Sequence, residues 1–564
     1  MLRYGLVYGV ALMLLYLQAA GQSPQYAFRV GFTDKQGSPG PGDPGQFLSQ
    51  RAIDRRFRRH AAIDETDRPV AAAYVDSVLA LTQGRLHVTS RWFNQCVVLL
   101  EDSSRILLLQ GKPYIRSIAV VAHYPMGLHL SADNGTGRKS GAEPVRAYPA
   151  PVLRTTAGGD SADYGTAFGQ TALVHGNVLH DLGYRGEGML IAVLDAGYVG
   201  AQTHPGFDSL RRSGRLLDMH DFVLNEDSVF HHDRHGTAVL APMAGDIPGH
   251  YIGAAPRAQY ALYRTEDNYS EQLIEIDNLV AGAERADSIG ADVINASLGY
   301  NTFSFPPGAD IPASQMDGRT SLAAQAANMA VRKGMLFVCT SGNEGMDGLL
   351  TPGDADSALT VGAVDAAKNP AGFSSWGPNA SGRVKPDVSA LGSPAMVFDS
   401  NGIGSGGGTS FAAPQIAGWA ACLWQGIPDA TPSEIRDAIV RSADQYRSPG
   451  RQQGYGVPDF RTAGVLLKIL DTVKTPATDD FIAMWPTAFN DRDILRILLN
   501  PASDQQVAFG LFDLSGRLLW KHGQQFKAGK QYYEVLLPRG LPGGMYLFSA
   551  VGGVQRQTVK MVKR

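Results

Sequence analysis

Cysteine and net charge are both scarce in this sequence. Of 564 residues only three are cysteine, namely Cys96, Cys339 and Cys422, so a disulfide framework is excluded. Cys339 and Cys422 lie in apolar contexts that favour buried thiols, and a bridge between them stays open as an alternative. Lys and Arg total 50 against 53 Asp and Glu, for a formal charge of −3. That balance gives no electrostatic reason to expect nucleic acid or an anionic membrane as the main partner.

Long apolar runs are also few. The run from Gly5 to Leu17 has 13 residues, whereas a membrane-spanning helix needs about 20. Arg3 precedes this run and small residues follow it, which is the pattern of a secretory signal peptide over residues 1–21. A later apolar stretch, Val97–Leu109, is interrupted by charged residues. The sequence therefore predicts an exported, soluble mature protein without a membrane span.

The segment after the signal peptide, residues 22–161, mixes strand and helix patterns. Large apolar residues alternate over Tyr26–Val30, as in a half-buried strand, and a basic helix is predicted over Phe47–His60. The arginines of that helix are expected to form a solvated face rather than a nucleic-acid site. They are Arg51, Arg55, Arg56, Arg58 and Arg59.

The rest of the chain changes pattern twice. Residues 162–470 alternate apolar strand-like runs with helical ones, which indicates an α/β fold with a parallel sheet and crossover helices. Residues 471–480 are predicted to be a linker. Residues 481–564 contain short strands separated by turn signals, which predicts a small β-sandwich.

The chemistry-bearing residues stand at strand ends and helix starts. The apolar run Met189–Leu194 ends in Asp195, at the edge where open α/β sheets place their sites. His235 opens a helical stretch, Asn343 follows a predicted strand, and Ser410 follows a glycine run and begins an apolar helix. Nucleophilic hydrolysis needs a hydroxyl, a base, a carboxylate that orients the base and a donor for the oxyanion. These four residues supply one of each.

The motifs around these residues resemble the subtilisin family of serine proteases over residues 163–470. They are Asp195-Ala196-Gly197, His235-Gly236-Thr237, Asn295-Ala296-Ser297-Leu298-Gly299, Ser341-Gly342-Asn343, Phe373-Ser374-Ser375-Trp376-Gly377-Pro378, Lys385-Pro386-Asp387-Val388 and Gly408-Thr409-Ser410-Phe411-Ala412-Ala413-Pro414. The resemblance implies a subtilisin-like parallel sheet with helices on both faces. It also implies a serine endopeptidase that acts through an acyl-enzyme intermediate.

The resemblance also implies the role of each site residue. Ser410 would be the nucleophile, His235 the general base and then acid, and Asp195 the carboxylate that holds the imidazole. Asn343 would bind the oxyanion together with the Ser410 backbone N–H. The residues expected to bind the substrate backbone as an added strand and to line its pocket are Ser297, Leu298, Gly299 and Gly342.

The sequence departs from the family pattern in two places. Ala196 stands where the family has Ser or Thr, so one hydroxyl near the carboxylate is missing. Pro242 lies in the helix after His235, where it removes a backbone hydrogen bond and is expected to kink the helix. Neither change removes a reacting group. Ala196 nevertheless favours one alternative, a catalytically silent, export-linked binding protein with the same fold.

The flanking regions resemble companions of that family. Tyr74–Val121 resembles the propeptide of a secreted subtilase, which assists folding and blocks the cleft before it is removed. Motifs in residues 500–564 are similar to the C-terminal sorting domains of the bacterial type IX secretion system. The implied partners are a protein or peptide substrate, the chain's own propeptide as inhibitor, and the secretion machinery. The implied location is the medium or the cell surface, reached through the periplasm.

The sequence offers two candidate cofactor sites and disfavours both. His231, His232, Asp233 and His235 could hold a metal ion, but the spacing lacks H-E-x-x-H and His235 belongs to the motif above. The stretch Gly402–Gly407 fits G-x-G-x-x-G, yet no strong strand precedes it and no suitable acid follows, so a dinucleotide site is disfavoured. We therefore expect no required cofactor and no catalytic metal, and leave a structural calcium ion open.

Overall fold

The structure is a computed structural model that describes residues 25–125, 146–147, 163–474, 482–485, 488–489, 494–499, 501–528, 531–553 and 555–563. The predicted signal peptide and most of the predicted linker lie outside these ranges. The chain divides into two compact units, Met1–Ala463 and Gly464–Arg564. Within the described ranges, no helix combines the length and the hydropathy that crossing a membrane requires.

The helices and strands are named in chain order. The helices are α1 (Gln50–Arg58), α2 (Ala72–Thr82), α3 (Phe168–Leu173), α4 (Asn177–Asp181), α5 (Asp208–Arg212), α6 (His235–Ala244), α7 (Ile274–Ile289), α8 (Leu322–Arg332), α9 (Thr409–Gln425), α10 (Pro432–Ser442) and α11 (Phe460–Lys474). The strands are β1 (Gln25–Phe32), β2 (Arg85–Ser90), β3 (Gln95–Leu100), β4 (Ile115–Tyr124), β5 (Arg146–Ala147), β6 (Leu190–Asp195), β7 (Leu216–Asp221), β8 (Asp246–Ile247), β9 (Tyr251–Ile252), β10 (Gln259–Arg264), β11 (Val293–Ala296), β12 (Leu336–Thr340), β13 (Leu359–Val364), β14 (Val388–Leu391), β15 (Ala395–Asp399), β16 (Gly402–Gly406), β17 (Ile482–Trp485), β18 (Ala488–Phe489), β19 (Ile494–Leu499), β20 (Gln505–Asp513), β21 (Leu518–Phe526), β22 (Gln531–Leu536), β23 (Gly544–Gly552) and β24 (Gln555–Lys563).

The N-terminal region is an antiparallel sheet with helices, as the sequence predicts. Its strands lie in the order β2-β3-β1-β4, and alternate residues of β1 such as Phe28, Val30 and Phe32 pack with Val75 and Val78 of α2. Helix α1 begins after Ser49, whose side chain accepts a hydrogen bond from the backbone N–H of Ala52. Such N-caps satisfy a donor that would otherwise be unpaired at a helix start.

The prediction that the arginines of the basic helix face solvent is wrong. Arg55, Arg56 and Arg59 are 0%, 1% and 4% exposed, and Arg58 faces solvent as expected. Buried guanidinium groups need carboxylate partners. Asp287 and Asp292, at and just beyond the C-terminal end of α7, supply them, and Asp67 is a further partner of Arg56. The helix pattern alone could not show this burial, because Asp287 and Asp292 lie more than two hundred residues later in the chain.

The central sheet confirms the predicted α/β fold. Seven parallel strands lie in the order β14-β13-β12-β11-β6-β10-β7. Leu190, Ala192 and Leu194 of β6 point to one face and pack with residues of α7 and α8, while α6 and α9 pack against the other face. The strand order reverses beside β6. Open α/β sheets bind their ligands outside the carboxyl ends of the strands at such a point.

The C-terminal unit, considered by itself, is a small β-sandwich. One sheet has the order β17-β19-β22 and the other has the order β18-β24-β23-β20-β21. Inward residues of both sheets form one core, for example Ile497 of β19 with Phe509 of β20 and Phe548 of β23. Helix α11 continues to Lys474, inside the predicted linker, and the domain boundaries themselves stay predictions.

The cysteines are all free and buried. Cys339 lies on β12 and Cys422 on α9, and burial raises the pKa of Cys339 to about 12. Because Cys339 and Cys422 are both free in the structure, the buried thiols are favoured over the bridge that the sequence left open.

Candidate active site

Asp195 is the last residue of β6 and lies at the edge where the strand order reverses. Its side chain is 1% exposed. Oδ1 accepts hydrogen bonds from His235 Nδ1 at 2.7 Å and from the backbone N–H of Ala196 at 2.8 Å. The aspartate is therefore positioned to hold one tautomer and one orientation of the imidazole.

His235 is the first residue of α6. Its backbone N–H donates to Asp233 Oδ1 at 2.6 Å, which fixes the start of the helix. Burial of the ring lowers the pKa of His235, but the charge and hydrogen bond of Asp195, helped by two further carboxylates, raise it to about 9. The site therefore stabilises the imidazolium, which is the species that forms when a histidine base takes a proton.

Ser410 is the second residue of the long buried helix α9 and is 6% exposed. Its backbone carbonyl accepts a hydrogen bond from Ser297 Oγ at 2.9 Å. The ring of His235 lies 5.7 Å, centroid to centroid, from the ring of Phe411, the residue that follows Ser410. A Cβ on Gly406 would lie 2.6 Å from that same phenylalanine ring, so the glycine run before the serine allows this close packing.

Asn343 lies just after β12, with its side-chain oxygen turned towards α9. Asn343 Oδ1 accepts hydrogen bonds from the backbone N–H of Thr409 at 3.0 Å and from Thr409 Oγ1 at 2.8 Å. The amide NH2 group is therefore directed away from Thr409 and remains available as a donor. The sequence motif contains Thr409 directly before Ser410 but does not indicate that Thr409 orients the Asn343 amide.

The predicted substrate-binding residues follow two neighbouring strands of the central sheet. Ser297, Leu298 and Gly299 come after β11, and Gly342 comes after β12. Ser297 reaches Ser410 as described, and the carbonyl of Gly342 accepts a hydrogen bond from Thr409 Oγ1 at 3.2 Å. The structure thus brings both segments to the start of α9. Their roles in binding stay predictions.

Ala196 has no hydroxyl, and one oxygen of the neighbouring Asp195 carboxylate lacks a hydrogen-bond donor among the described residues. Asp195 Oδ2 is buried, and no hydrogen-bond partner for it is found in the part of the chain that the structure describes. A buried carboxylate oxygen without a donor is costly. The carboxylate therefore depends on the interactions of Oδ1. Pro242 lies within α6, which continues to Ala244, and the predicted kink stays a prediction.

The four candidate metal ligands of the sequence lie in two different environments. His231 and His232 approach Asp221, with potential ligand atoms within 4.8 Å of one another, whereas Asp233 and His235 serve the site above. Asp221 Oδ2 already accepts a hydrogen bond from Arg264 at 2.8 Å. Glu266, Glu271 and Glu275 form a second group, whose potential ligand atoms also lie within 4.8 Å of one another.

The glycine stretch that fits G-x-G-x-x-G does not form a dinucleotide-binding turn. Gly402–Gly406 is strand β16, which pairs in antiparallel fashion with β15. A dinucleotide fingerprint needs a turn between a strand and a helix, so this stretch does not have the required form.

A carboxylate, an imidazole and a serine at the start of a helix, placed together on a parallel sheet, define a class of protein, the serine hydrolases of α/β type. The chain also matches two family profiles, one described as Subtilase family over residues 186–457 and one described as Peptidase S8 propeptide domain, Bacteroidota, over residues 27–134.

Individual relatives agree with the family match. The chain is 32% identical over 275 residues to a thermophilic serine proteinase of Bacillus sp. (strain AK1), covering 48% of this chain and 60% of that protein. It is 30% identical over 270 residues to subtilisin BL of Lederbergia lenta, covering 48% and 88%. It is 29% identical over 276 residues to subtilisin DY of Bacillus licheniformis, covering 48% and 89%.

The chain therefore belongs to the subtilase family. The predicted subtilisin-like fold is confirmed, and so is the class of serine-type endopeptidase. The matched propeptide domain, residues 27–134, covers nearly all of the N-terminal sheet, which is predicted from the sequence to be a propeptide.

Proposed function

We propose that this protein is a secreted serine endopeptidase that hydrolyses peptide bonds with Ser410, His235 and Asp195. The observation that carries the proposal is the 2.7 Å hydrogen bond between His235 Nδ1 and Asp195 Oδ1, beside the helix start that carries Ser410. Family membership supports the reaction class.

In the proposed reaction, His235 Nε2 takes the proton of Ser410 as the hydroxyl oxygen forms a bond to the scissile carbonyl carbon. The proton then passes to the leaving amine as the C–N bond breaks, and water resolves the acyl-enzyme by the reverse sequence. The NH2 group of Asn343 and the backbone N–H of Ser410 bind the oxyanion, and the N-terminal end of α9 favours its charge.

The N-terminal region acts as the inhibitor of the unprocessed chain in this proposal. Glu284 on α7 accepts hydrogen bonds from Ser90 Oγ at 2.5 Å and from the backbone N–H groups of Arg91 and Trp92 at 2.9 and 3.1 Å. The backbone N–H of His123, near the end of β4, donates to Gln272 Oε1 at 2.8 Å. The region is thus bonded to the same unit that carries the candidate site.

Export is the second part of the proposal. The match to a Bacteroidota propeptide supports an exported precursor, and we assign attachment or sorting through the type IX secretion system to the C-terminal β-sandwich. That unit contains none of the four reacting residues. The proposed location is the medium or the cell surface, reached through the periplasm, and the proposed enzyme needs no cofactor.

A catalytically silent binding protein is the other candidate. One observation favours it, the unsatisfied Oδ2 of Asp195 beside Ala196. The two candidates differ in whether Ser410 is a reactive nucleophile.

The test is covalent labelling of the mature protein with a fluorophosphonate, together with a peptide cleavage assay. We expect labelling at Ser410 and loss of both signals in Ser410→Ala. Ser213→Ala, at an exposed serine, is the matched control and should retain both. Undiminished cleavage by Ser410→Ala would end the assignment, and a folded wild-type protein that is neither labelled nor active would favour the silent binding protein.

A further inference from the structure

The loop that precedes α6 brings two imidazole rings to the end of β7. Asp221 is the last residue of β7 and is fully buried. One potential ligand atom each of Asp221, His231 and His232 lie within 4.8 Å of one another. The ligand atoms of a tetrahedral zinc site lie about 3.4 Å apart, so an ion would draw these side chains somewhat closer together. Imidazole nitrogens and carboxylate oxygens are ligands that Zn²⁺ takes in proteins.

Backbone hydrogen bonds hold both sides of this cluster in place. Asp221 and Glu226 face one another in an isolated antiparallel bridge, with two reciprocal backbone hydrogen bonds at 2.7 and 3.1 Å. Residues that are directly opposite in such a bridge have their side chains on the same face. On the other side of the cluster, the carbonyl of Asp233 accepts a hydrogen bond from the backbone N–H of Val199 at 2.8 Å. The cluster therefore lies between two fixed segments of backbone.

His232 has a backbone conformation that is uncommon for a residue other than glycine. Its φ is 70°, and the backbone N–H of Asp233 donates to the carbonyl of His231 at 3.0 Å across it. A γ-turn with positive φ is rare and strained, and strain of this kind is concentrated at functional sites. The two imidazole rings lie edge to face, with their centroids 4.4 Å apart. The turn thus keeps both rings next to Asp221.

The ring nitrogens of His231 face two carboxylates. Nδ1 lies 4.0 Å from Asp221 Oδ2, and Nε2 lies 2.7 Å from Glu226 Oε1. Both nitrogens are buried, and neither has a hydrogen-bond partner of suitable angle among the described residues. A ligating histidine usually donates its other ring N–H to a carboxylate, which orients the ring. Glu226 is placed for that role if Nδ1 is the ligand.

The carboxylate of Asp221 is held by the protein and retains capacity for an ion. Oδ1 accepts hydrogen bonds from the backbone N–H groups of Val223 and Leu224 at 2.8 and 2.9 Å. Oδ2 accepts one from Arg264 at 2.8 Å, and a carboxylate oxygen has a second lone pair. Arg264 also lies 3.8 Å from Asp267, whose negative charge offsets that of the guanidinium. Hydrogen bonds of this kind are common on carboxylates that bind metals.

We propose that Asp221, His231 and His232 form a binding site for a divalent transition metal ion, with Zn²⁺ as the ion that tests it. Ca²⁺ does not suit the site, because it takes oxygen ligands and two of the ligands here are imidazoles. The site is separate from the proposed reaction and does not rest on it. Asp233, which follows His232, accepts a hydrogen bond from the backbone N–H of His235 at 2.6 Å. A bound ion would therefore stabilise the segment that leads into α6.

The experiment uses the full chain carrying Ser410→Ala, stripped of metal with a chelator and kept at neutral pH. Calorimetric titration with Zn²⁺ should show binding, and the melting temperature should rise with Zn²⁺ because the ion binds the folded state. His231→Ala and His232→Asn should each abolish this binding. Asn is chosen because it tolerates a positive φ. Glu226→Gln should weaken binding by about 10–100-fold, the usual cost of removing a group that orients a ligand.

His250→Ala is the matched control, since it removes an exposed imidazole from the same unit, and it should retain binding. His235→Ala should also retain it, and an excess of Ca²⁺ should not displace Zn²⁺. Melting curves without metal show that each variant is folded. Binding that is lost in His235→Ala but kept in His231→Ala and His232→Asn would place the ion elsewhere and overturn the proposal. Displacement of Zn²⁺ by Ca²⁺, or no binding by the folded parent chain, would overturn it as well.

Discussion

Asp195 holds His235 through one oxygen only. Oδ1 lies 2.7 Å from His235 Nδ1, whereas Oδ2 is buried with no hydrogen-bond donor among the described residues. The orientation of the imidazole therefore depends on a single hydrogen bond. The charge of the carboxylate has a second effect, since it outweighs the burial of the ring and raises the pKa of His235.

Asp195→Asn should lower kcat by about 10⁴, a magnitude borrowed from other serine proteases with this triad. The amide would donate to Nδ1 and so favour the wrong imidazole tautomer. Steady-state kinetics measures the loss of kcat, with the concentration of active enzyme determined by fluorophosphonate titration. Asp208→Asn, which changes a surface ion pair with Arg211 and Arg212, is the control. A loss of less than about tenfold would show that Asp195 does not orient the base.

Asn343→Leu should lower kcat by about 10²–10³ with little change in KM, a size known from subtilisin and carried over here. The reason is that the amide would act on the oxyanion of the transition state and not on the bound substrate. Thr409→Val removes the hydroxyl bond to Asn343 Oδ1 and keeps the backbone bond, so its loss in kcat should be smaller. A loss confined to KM in Asn343→Leu would mean that the amide binds only the ground state.

The pH profile should show an alkaline enzyme. The neutral form of His235 is the base, and the raised pKa of about 9 means that this form is lost as pH falls below that value. The acid limb of kcat/KM should therefore lie well above 6.5, the ordinary value for histidine. In Asp195→Asn the residual activity should show the limb shifted to lower pH, because the raising charge is gone. A wild-type limb at or below 6.5 would contradict the raised pKa.

Asp287→Asn should weaken the hold of the N-terminal region on the catalytic unit. Asp287 is fully buried and accepts hydrogen bonds from Arg56 Nη2 at 2.7 Å and Arg91 Nη2 at 2.7 Å, with Arg55 as a third partner. Removing one partner of a buried ion pair costs about 3–5 kcal/mol. In the full chain carrying Ser410→Ala, added protease should cleave the N-terminal region faster, and Asp208→Asn should change nothing.

The same contact has a pH dependence with a definite sign. Burial raises the pKa of Asp287, but the three arginines outweigh it and lower the pKa from 3.8 to about 2. The stabilisation is therefore complete above pH 3.8 and is lost as pH falls towards 2. The chain that carries Ser410→Ala alone is the parent for this comparison. Faster cleavage of its N-terminal region at neutral pH than at acidic pH would contradict this account.

Deleting Phe481–Arg564 should leave peptidase activity intact in purified mature enzyme, because the deleted strands contain no reacting residue. In the native host the truncated chain should stay within the cell envelope. The paired measurement is the cleavage rate and the fraction of enzyme that reaches the medium or cell surface. Normal export with lost activity would reverse the assignment of this domain.

Local motifs explain how much of the candidate site can be predicted from the sequence. Asp195 ends an apolar run, and Ser410 follows glycines at a helix start, so each can be recognised from its own neighbours. The central sheet is predictable for the same reason, since buried parallel strands are continuous apolar runs. In the structure His235 and Asp195 are hydrogen-bonded, and the catalytic roles of the site residues stay predictions.

Contacts between distant segments explain what the sequence does not reveal. The burial of Arg55 and Arg56 depends on Asp287, and Leu350 packs closely against Gly299, where a Cβ would lie 2.7 Å from Leu350 Cβ. None of these partners is near in sequence, and each pattern by itself indicates something else. An arginine-rich helix is typical of a solvated surface, and a glycine is typical of a surface that no side chain covers.

The arginines of the N-terminal region also bear on the charge of the surface that their removal would expose. If the N-terminal region is removed as proposed, Asp277, Asp287 and Asp292 lose their partners Arg29, Arg56 and Arg59. The released fragment would carry the matching cations, so we expect its return to be steered over long range and screened by salt, with a Debye length of about 8 Å at 0.15 M. A dilute medium should therefore favour rebinding of the fragment, and a saline medium should oppose it.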